Sequence, residues 1–206
     1  MGITLPTVGQ SAWATPLNLA LADLAHSGIN ARDLGYKMVN YMPGAASVLT
    51  AGALASGTVR TVKMPRLTQA ETITGAGFII GTAASGATAG QCFVGLYSVS
   101  GTTGTRVALS ADISGSLGST GLIKYPFTAP YAATPGDYVV AMLFNGTTGP
   151  QLGAQSAGGI SSIVNGDLTA GFLLVANNPT AQTSLPASID LTTRTGVGAY
   201  TFGGLY

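Results

Sequence analysis

From residue 58 onward, apolar and polar positions exchange places in short runs, and Gly, Pro, Asn and Ser break those runs at short intervals. Period-two alternation rich in hydroxyl and β-branched residues is the signature of strands, so the runs predict strands at 58–64, 72–80, 91–98, 106–110, 121–128, 137–144, 159–164, 170–176 and 199–202. No helical crossover separates them, which favours an antiparallel sandwich or jelly roll over a parallel α/β sheet. Before residue 58 the period changes. Thr15 is placed to cap a helix, Pro16 suits its first position, Leu17, Leu21 and Leu24 fall on one face, and Gly28 ends it. Trp13 is placed to pack over the first turn. Leu34, Met38 and Tyr41 suggest a further helical turn or two within 31–42, closed by Pro43-Gly44. The small residues of 45–57 read as an extended, close-packed connection.

Two strands break the usual alternation. In 137–144, Tyr138, Val140, Met142 and Phe144 form one apolar set, and Val139, Ala141 and Leu143 form the other. The run 92–97 behaves alike, with Cys92, Val94 and Leu96 against Phe93, Gly95 and Tyr97. An antiparallel sandwich strand normally turns one polar face to water. The second face is therefore expected to lie under the N-terminal arm or a neighbouring subunit.

Composition strengthens the expectation of assembly. Of 206 residues only 15 carry a formal charge, against 46% hydrophobic residues and 30 glycines, whereas about a quarter is usual. So few ionic groups suggest that much of the exterior is hidden against other subunits, on the β-region as well as on the N-terminal segment. Residues 1–66 hold five basic and two acidic residues and 67–206 hold three and five, a split of +3 and −2 that suggests a boundary near residue 65. The net charge of +1 does not favour nucleic acid as a partner. Met-Gly-Ile-Thr-Leu-Pro lacks the pattern of a secretory leader, Pro6 stands where a myristoylation signal needs Ser or Thr, and 45–55 is too short and interrupted to span a bilayer; no membrane insertion is expected.

The candidate chemistry is sparse. A Ser or Cys nucleophile needs a base, and the chain's one histidine, His26, lies at the end of the expected helix. Glu71, Asp112, Asp137, Asp167 and Asp190 are the acids available for glycoside cleavage, and they form no cluster in sequence. Cys92, in an apolar run, reads as a buried inert thiol. No metal-ligand spacing occurs, and the glycines of 75–81 read as strand and bulge glycines rather than a dinucleotide fingerprint. Asn145-Gly146-Thr147 matches a glycosylation acceptor but reads first as a turn. Arg60, Lys63 and Arg66 alternate faces in a strand, which suits a solvated edge or pairing with acids on a docking partner. No catalytic residue, metal or cofactor is expected.

The opening LPTVGQSAWATPLNLALADL resembles the L-P-x-V-G-x-x-x-W-x-x-x-L-N-x-x-L segment at the start of many tailed-bacteriophage fibre and minor tail proteins, through Leu5, Pro6, Val8, Gly9, Trp13, Leu17, Asn18 and Leu21. ETITGAGFIIGTAASG, QCFVGLYSVSGTTGTRVALSAD and YPFTAPYAATPGDYVVAMLFNGT look like the C-terminal β-sandwich of such proteins in phages of actinobacteria. The resemblance implies a mainly β virion protein. Residues 1–65 would be a docking segment with a short helix, and 66–206 an antiparallel, jelly-roll-like β-sandwich. It further implies a homotrimer contacting other virion proteins, assembled in the bacterial cytoplasm, with no room for a long shaft. Trp13, Leu17, Leu21 and Leu24 are the expected docking or oligomer contacts. Tyr97, Tyr125 and Tyr131 are the first candidates for stacking on a host-surface glycan. A capsid decoration or head-fibre protein is the alternative, and a carbohydrate-active enzyme the remote one.

Overall fold

The computed structural model describes residues 35–40, 49–50, 52–156 and 173–206. The expected helix with Trp13, Leu17, Leu21, Leu24 and His26, and the expected strand at 159–164, lie outside the described residues. The described chain is mainly β. Its strands are β1 (Met38–Val39), β2 (Leu49–Thr50), β3 (Thr58–Lys63), β4 (Glu71–Thr82), β5 (Ser85–Ala87), β6 (Phe93–Ser100), β7 (Thr103–Leu109) and β8 (Gly121–Ala133). They continue with β9 (Asp137–Phe144), β10 (Gly146–Thr148), β11 (Gln151–Ser156), β12 (Val175–Asn177), β13 (Ser188–Asp190), β14 (Thr195–Gly196), β15 (Ala199–Thr201) and β16 (Gly204–Leu205).

The first sheet runs β1-β16-β4-β11-β15, with β8 also on β4 and β2 also on β11. The second runs β13-β7-β6-β9-β3-β12-β14, and β5 with β10 forms a small separate ladder. The pairings are antiparallel. One apolar core joins the large sheets. The first contributes Ile73, Phe78, Ile80, Tyr125 and Leu152, and the second contributes Val62, Val94, Leu96, Val140, Met142 and Phe144. Each such large side chain contributes about 2 kcal/mol on leaving water.

Strand β9 follows its expected bounds, and both its faces are buried. The cover on its second face differs from expectation. Val139, Ala141 and Leu143, with Val59 and Tyr97, pack under Leu185, Ile189 and Leu191 of the chain's own C-terminal part. Strand β13 pins this cover to β7, with Ile189 opposite Gly104. The Tyr97 hydroxyl donates to Pro186 O at 2.8 Å, and Arg106 Nη1 donates to Leu185 O. Gly95 makes room, because a Cβ there would lie 2.9 Å from Leu185 Cδ1. Neither the N-terminal arm nor a second subunit is needed to explain the two-faced strand.

Several local expectations change. Met38 and Val39 are extended rather than helical, because Met38 pairs with Leu205 and Val39 with Gly204, and Met38 joins the core. The connection before β3 is close-packed as expected: Leu54 is buried, and a Cβ on Gly149 would lie 1.7 Å from Leu54 O. Strand β8 runs on through Pro126 and Pro130, which an edge strand tolerates. Pro126 faces Gly75 while Tyr131 faces Ile73, so β8 bulges between them, and Phe127 reaches across to bridge Ser110 at the end of β7. Strand β3 is interior, between β9 and β12, so the β-architecture already includes residues ahead of position 66.

Candidate functional site

The outer face of the second sheet carries the clearest concentration of charge. Register sets Lys63 of β3 opposite Val139 of β9, and Asp137 of β9 opposite Val99 of β6. At the end of the C-terminal cover, Asp190 caps the 3-10 turn Leu191–Thr193, its Oδ1 accepting from Thr192 N at 2.9 Å and Thr192 Oγ1 at 2.7 Å. These bonds hold the Asp190 carboxyl below its ordinary pKa. The turn delivers Arg194, 4% exposed, against the sheet. Its Nε donates to Leu191 O and its Nη1 to Thr61 Oγ1, each at 3.3 Å.

Lys63, Asp137 and Arg194, with Val99, Gly101, Val139 and Leu191, line a cleft of about 70 Å³. Arg66 Nη1 lies 2.9 Å from Asp137 Oδ2. Lys63, Arg66, Asp137 and Arg194 thus bring four of the chain's 15 charged residues to one spot. Burial pushes the Arg194 guanidinium down to about 10, which leaves it a cation at neutral pH.

The tyrosines proposed for sugar stacking are not displayed together. Tyr97 is wholly buried, and Tyr125 lies within the shared core at 2% exposure, so neither offers a ring face to a ligand. Burial raises the pKa of both phenols. Tyr131 is half-buried and meets Tyr138 edge-on with ring centroids 6.4 Å apart. Their alternation with buried residues is the physical reason: Tyr97 faces the C-terminal cover and Tyr125 faces the opposite sheet. The basic trio also separates. Arg60 is buried on an interior strand rather than a solvated edge, its Nε donating to Asn177 Oδ1 at 2.6 Å and its Nη1 to Thr201 Oγ1 at 3.3 Å.

The described acids sit on different elements and serve local structure. Glu71 lies 3.7 Å from Lys37 Nζ, and Asp112 accepts from Cys92 N at 3.1 Å and Ser114 Oγ at 2.5 Å. Asp167 lies outside the described residues. Among the described residues no group of three or more His, Cys, Asp and Glu is placed to hold a metal, and no helix is long and apolar enough to cross a membrane. Cys92 is buried, and burial raises its pKa. Asn145 is buried too, its amide donating to Gln91 O at 3.0 Å and Gln182 O at 2.9 Å, a setting closed to a glycan. Rather than closing a two-residue hairpin, Asn145-Gly146 leads from β9 directly into β10.

A second feature was not anticipated on the outer face of the first sheet. Tyr36 and Tyr206 lie over Gly75, Gly77 and Gly204, where a Cβ would come within 2.3, 2.3 and 2.6 Å of a tyrosine atom, respectively. The two rings meet edge-on at 6.1 Å, and Lys124 Nζ stands 4.7 Å from the Tyr36 centroid and 5.0 Å from that of Tyr206. Sequence reasoning also missed Arg194. The available signal was Asp190 with Thr192 two residues on, the spacing of a side-chain-capped turn. No protein-family model matches the chain and no curated protein matches its sequence, so a functional reading has to be built from its own residues and fold.

Proposed function

We propose that this chain is a structural component of a bacteriophage virion, a tail-associated short fibre or minor tail protein. In this reading residues 1–65 include the segment that docks it to the particle, and the β-unit faces outward as a jelly-roll-like sandwich. What supports the reading is the resemblance of the opening, through Leu5, Pro6, Trp13, Leu17 and Leu21, to phage fibre and minor tail proteins, together with the mainly β character of the described chain. The scarcity of charge takes on a different meaning. On the described surface Leu122 is the exposed large hydrophobic residue, at 46%, while Thr, Ser, Gly, Ala and Pro make up most of the exposed positions. A neutral hydroxyl surface needs neither a partner to hide it nor charges to wet it. The docking contacts are therefore assigned to the N-terminal stripe, which in a homotrimer would meet around the threefold axis.

The test is to tag the chain at the exposed Gly101 turn, purify particles and locate the tag by electron microscopy. Label at the tail supports the reading, label distributed over the head replaces it with capsid decoration, and particles without the chain overturn it. Deleting residues 1–30 is expected to reduce occupancy in particles at least tenfold; wild-type occupancy would remove that segment as the anchor.

A further inference from the structure

We propose that Asn145 is a covalent modification site: a latent deamidation site that a closed junction silences and that, once converted to aspartate, unlatches the C-terminal cover of β9. The pair Asn145-Gly146 supplies the chemistry. Gly146 N attacks Asn145 Cγ, so the N–Cγ bond forms while the Cγ–Nδ2 bond breaks. The proton of Gly146 N departs with Nδ2 as ammonia, and water opens the resulting succinimide to aspartate or isoaspartate. No oxidant or reductant takes part. A glycine after the asparagine leaves the attack unhindered, and the fold demands glycine there, because a Cβ on Gly146 would collide with Gly86 O. The connection from β9 to β10 thus keeps the reactive pair in place.

The same connection is held shut. Asn145 is buried, and its Nδ2 donates to Gln91 O at 3.0 Å and to Gln182 O at 2.9 Å. Its Oδ1 accepts from Ser56 Oγ at 3.4 Å, and Gly146 N donates to that same Oγ at 3.1 Å. The attacking and the attacked group are thus each tied to one hydroxyl. Attack requires the side chain to turn out of this setting, which gives up its two donated bonds inside the protein. Cyclisation therefore proceeds from an opened junction, at a rate set by how often the junction opens. After conversion the junction cannot re-form as it was. A carboxylate has no N–H for Gln91 O and Gln182 O, and it sets a buried negative charge against both carbonyls. Gln182 anchors the cover, since its own N donates to Gly57 O at 2.9 Å and Leu185, three residues on, begins the packing over β9. Losing the hold of Asn145 on Gln182 frees the start of that cover.

This inference stands apart from the virion reading, since it uses only the chain's own atoms. The full chain is incubated in mildly alkaline buffer, folded and in denaturant, and conversion at Asn145 is followed by peptide mapping with mass spectrometry. The folded chain is expected to convert more slowly than the denatured one by about tenfold or more. Ser56→Ala is expected to speed conversion of the folded chain about tenfold, the equivalent of one hydrogen bond, and to leave the denatured rate unchanged. Chain converted in denaturant is then refolded beside an unconverted control, separated by charge and followed by hydrogen exchange. The amides of Gln182, Arg106 and Leu191 donate to Gly57 O, Ala187 O and Thr102 O, and they are expected to exchange about tenfold faster than in the control. Those of Lys37 and Tyr206, which bond within the first sheet, are expected to exchange at the control rate. Because the comparison of the folded and denatured parent needs no variant, a Ser56→Ala chain that fails to fold leaves the test standing. Equal conversion of folded and denatured chain, a reaction no faster in folded Ser56→Ala, native exchange at the cover after conversion, or lost protection on both sheets would each overturn the proposal.

Discussion

Phenols buried away from water make the residue scale sensitive to alkali. Tyr36 is held up to about 12, first by burial and then by the neighbouring Tyr206, and burial also raises Tyr97 and Tyr125. An unfolded tyrosine ionises near ~10. The folded state therefore keeps protons that the unfolded state releases, and the stability this lends is complete below pH ~10 and lost as pH climbs through the folded values. Tyrosinate absorbance from these residues is expected to appear together with the loss of near-ultraviolet circular dichroism, above pH ~10. Ionisation of all tyrosines near ~10 with the fold intact would contradict the burial. Residue identity alone carried part of this picture. The burial of Cys92 follows from its apolar neighbours, but the burial of Arg60 does not. Its acceptors Asn177 and Thr201 lie 117 and 141 positions away, beyond the reach of any local pattern.

At the scale of elements, periodicity reported what each strand needed and not what supplied it. Strand β9 was legible to its bounds because eight residues of double-sided apolar character suit little else. That its second face is covered was legible as well. The identity of the cover was not, since Leu185, Ile189 and Leu191 lie in a stretch punctuated by Pro186, Ala187 and Ser188 that shows no sustained alternation. Among the nine strands of two or three residues, β12 and β15 overlap the expected 170–176 and 199–202, whereas β1, β2, β5, β10, β13, β14 and β16 are too short to display a period and are set by their pairing partners. The cleft was hidden for the same reason, because it joins β3, β6 and β9 to a turn near residue 191. The cover can be tested as an element. Leu185→Ala and Leu191→Ala are each expected to cost about 2–5 kcal/mol in denaturant unfolding. The double variant is expected to bind a hydrophobic dye and self-associate in sedimentation. A double variant as stable and monodisperse as the parent would show that β9 does not depend on its cover.

At the scale of the whole molecule, the described surface meets the problem of a charge-poor exterior with hydroxyls and small side chains. Surface ion pairs such as Arg66–Asp137, with side chains 70% and 34% exposed, are worth about 0–1 kcal/mol each. The melting temperature is therefore expected to move by less than about 4 °C between ~0.01 and ~0.15 M salt, measured by calorimetry. A larger shift would reveal long-range electrostatics absent from this description. The glycine floor under Tyr36 and Tyr206 has a geometric consequence at this scale. Thr74 N and Gly75 N both donate to Tyr206 O, while Lys37 N donates to Leu205 O, so positions 36 and 206 are fastened side by side on one sheet. Residues distant in sequence are thereby set on one spot of the first sheet, where the Tyr36 and Tyr206 rings stand edge-on under the Lys124 ammonium. The two short ladders of β16, to β1 and to β4, thus close the described β-unit on itself.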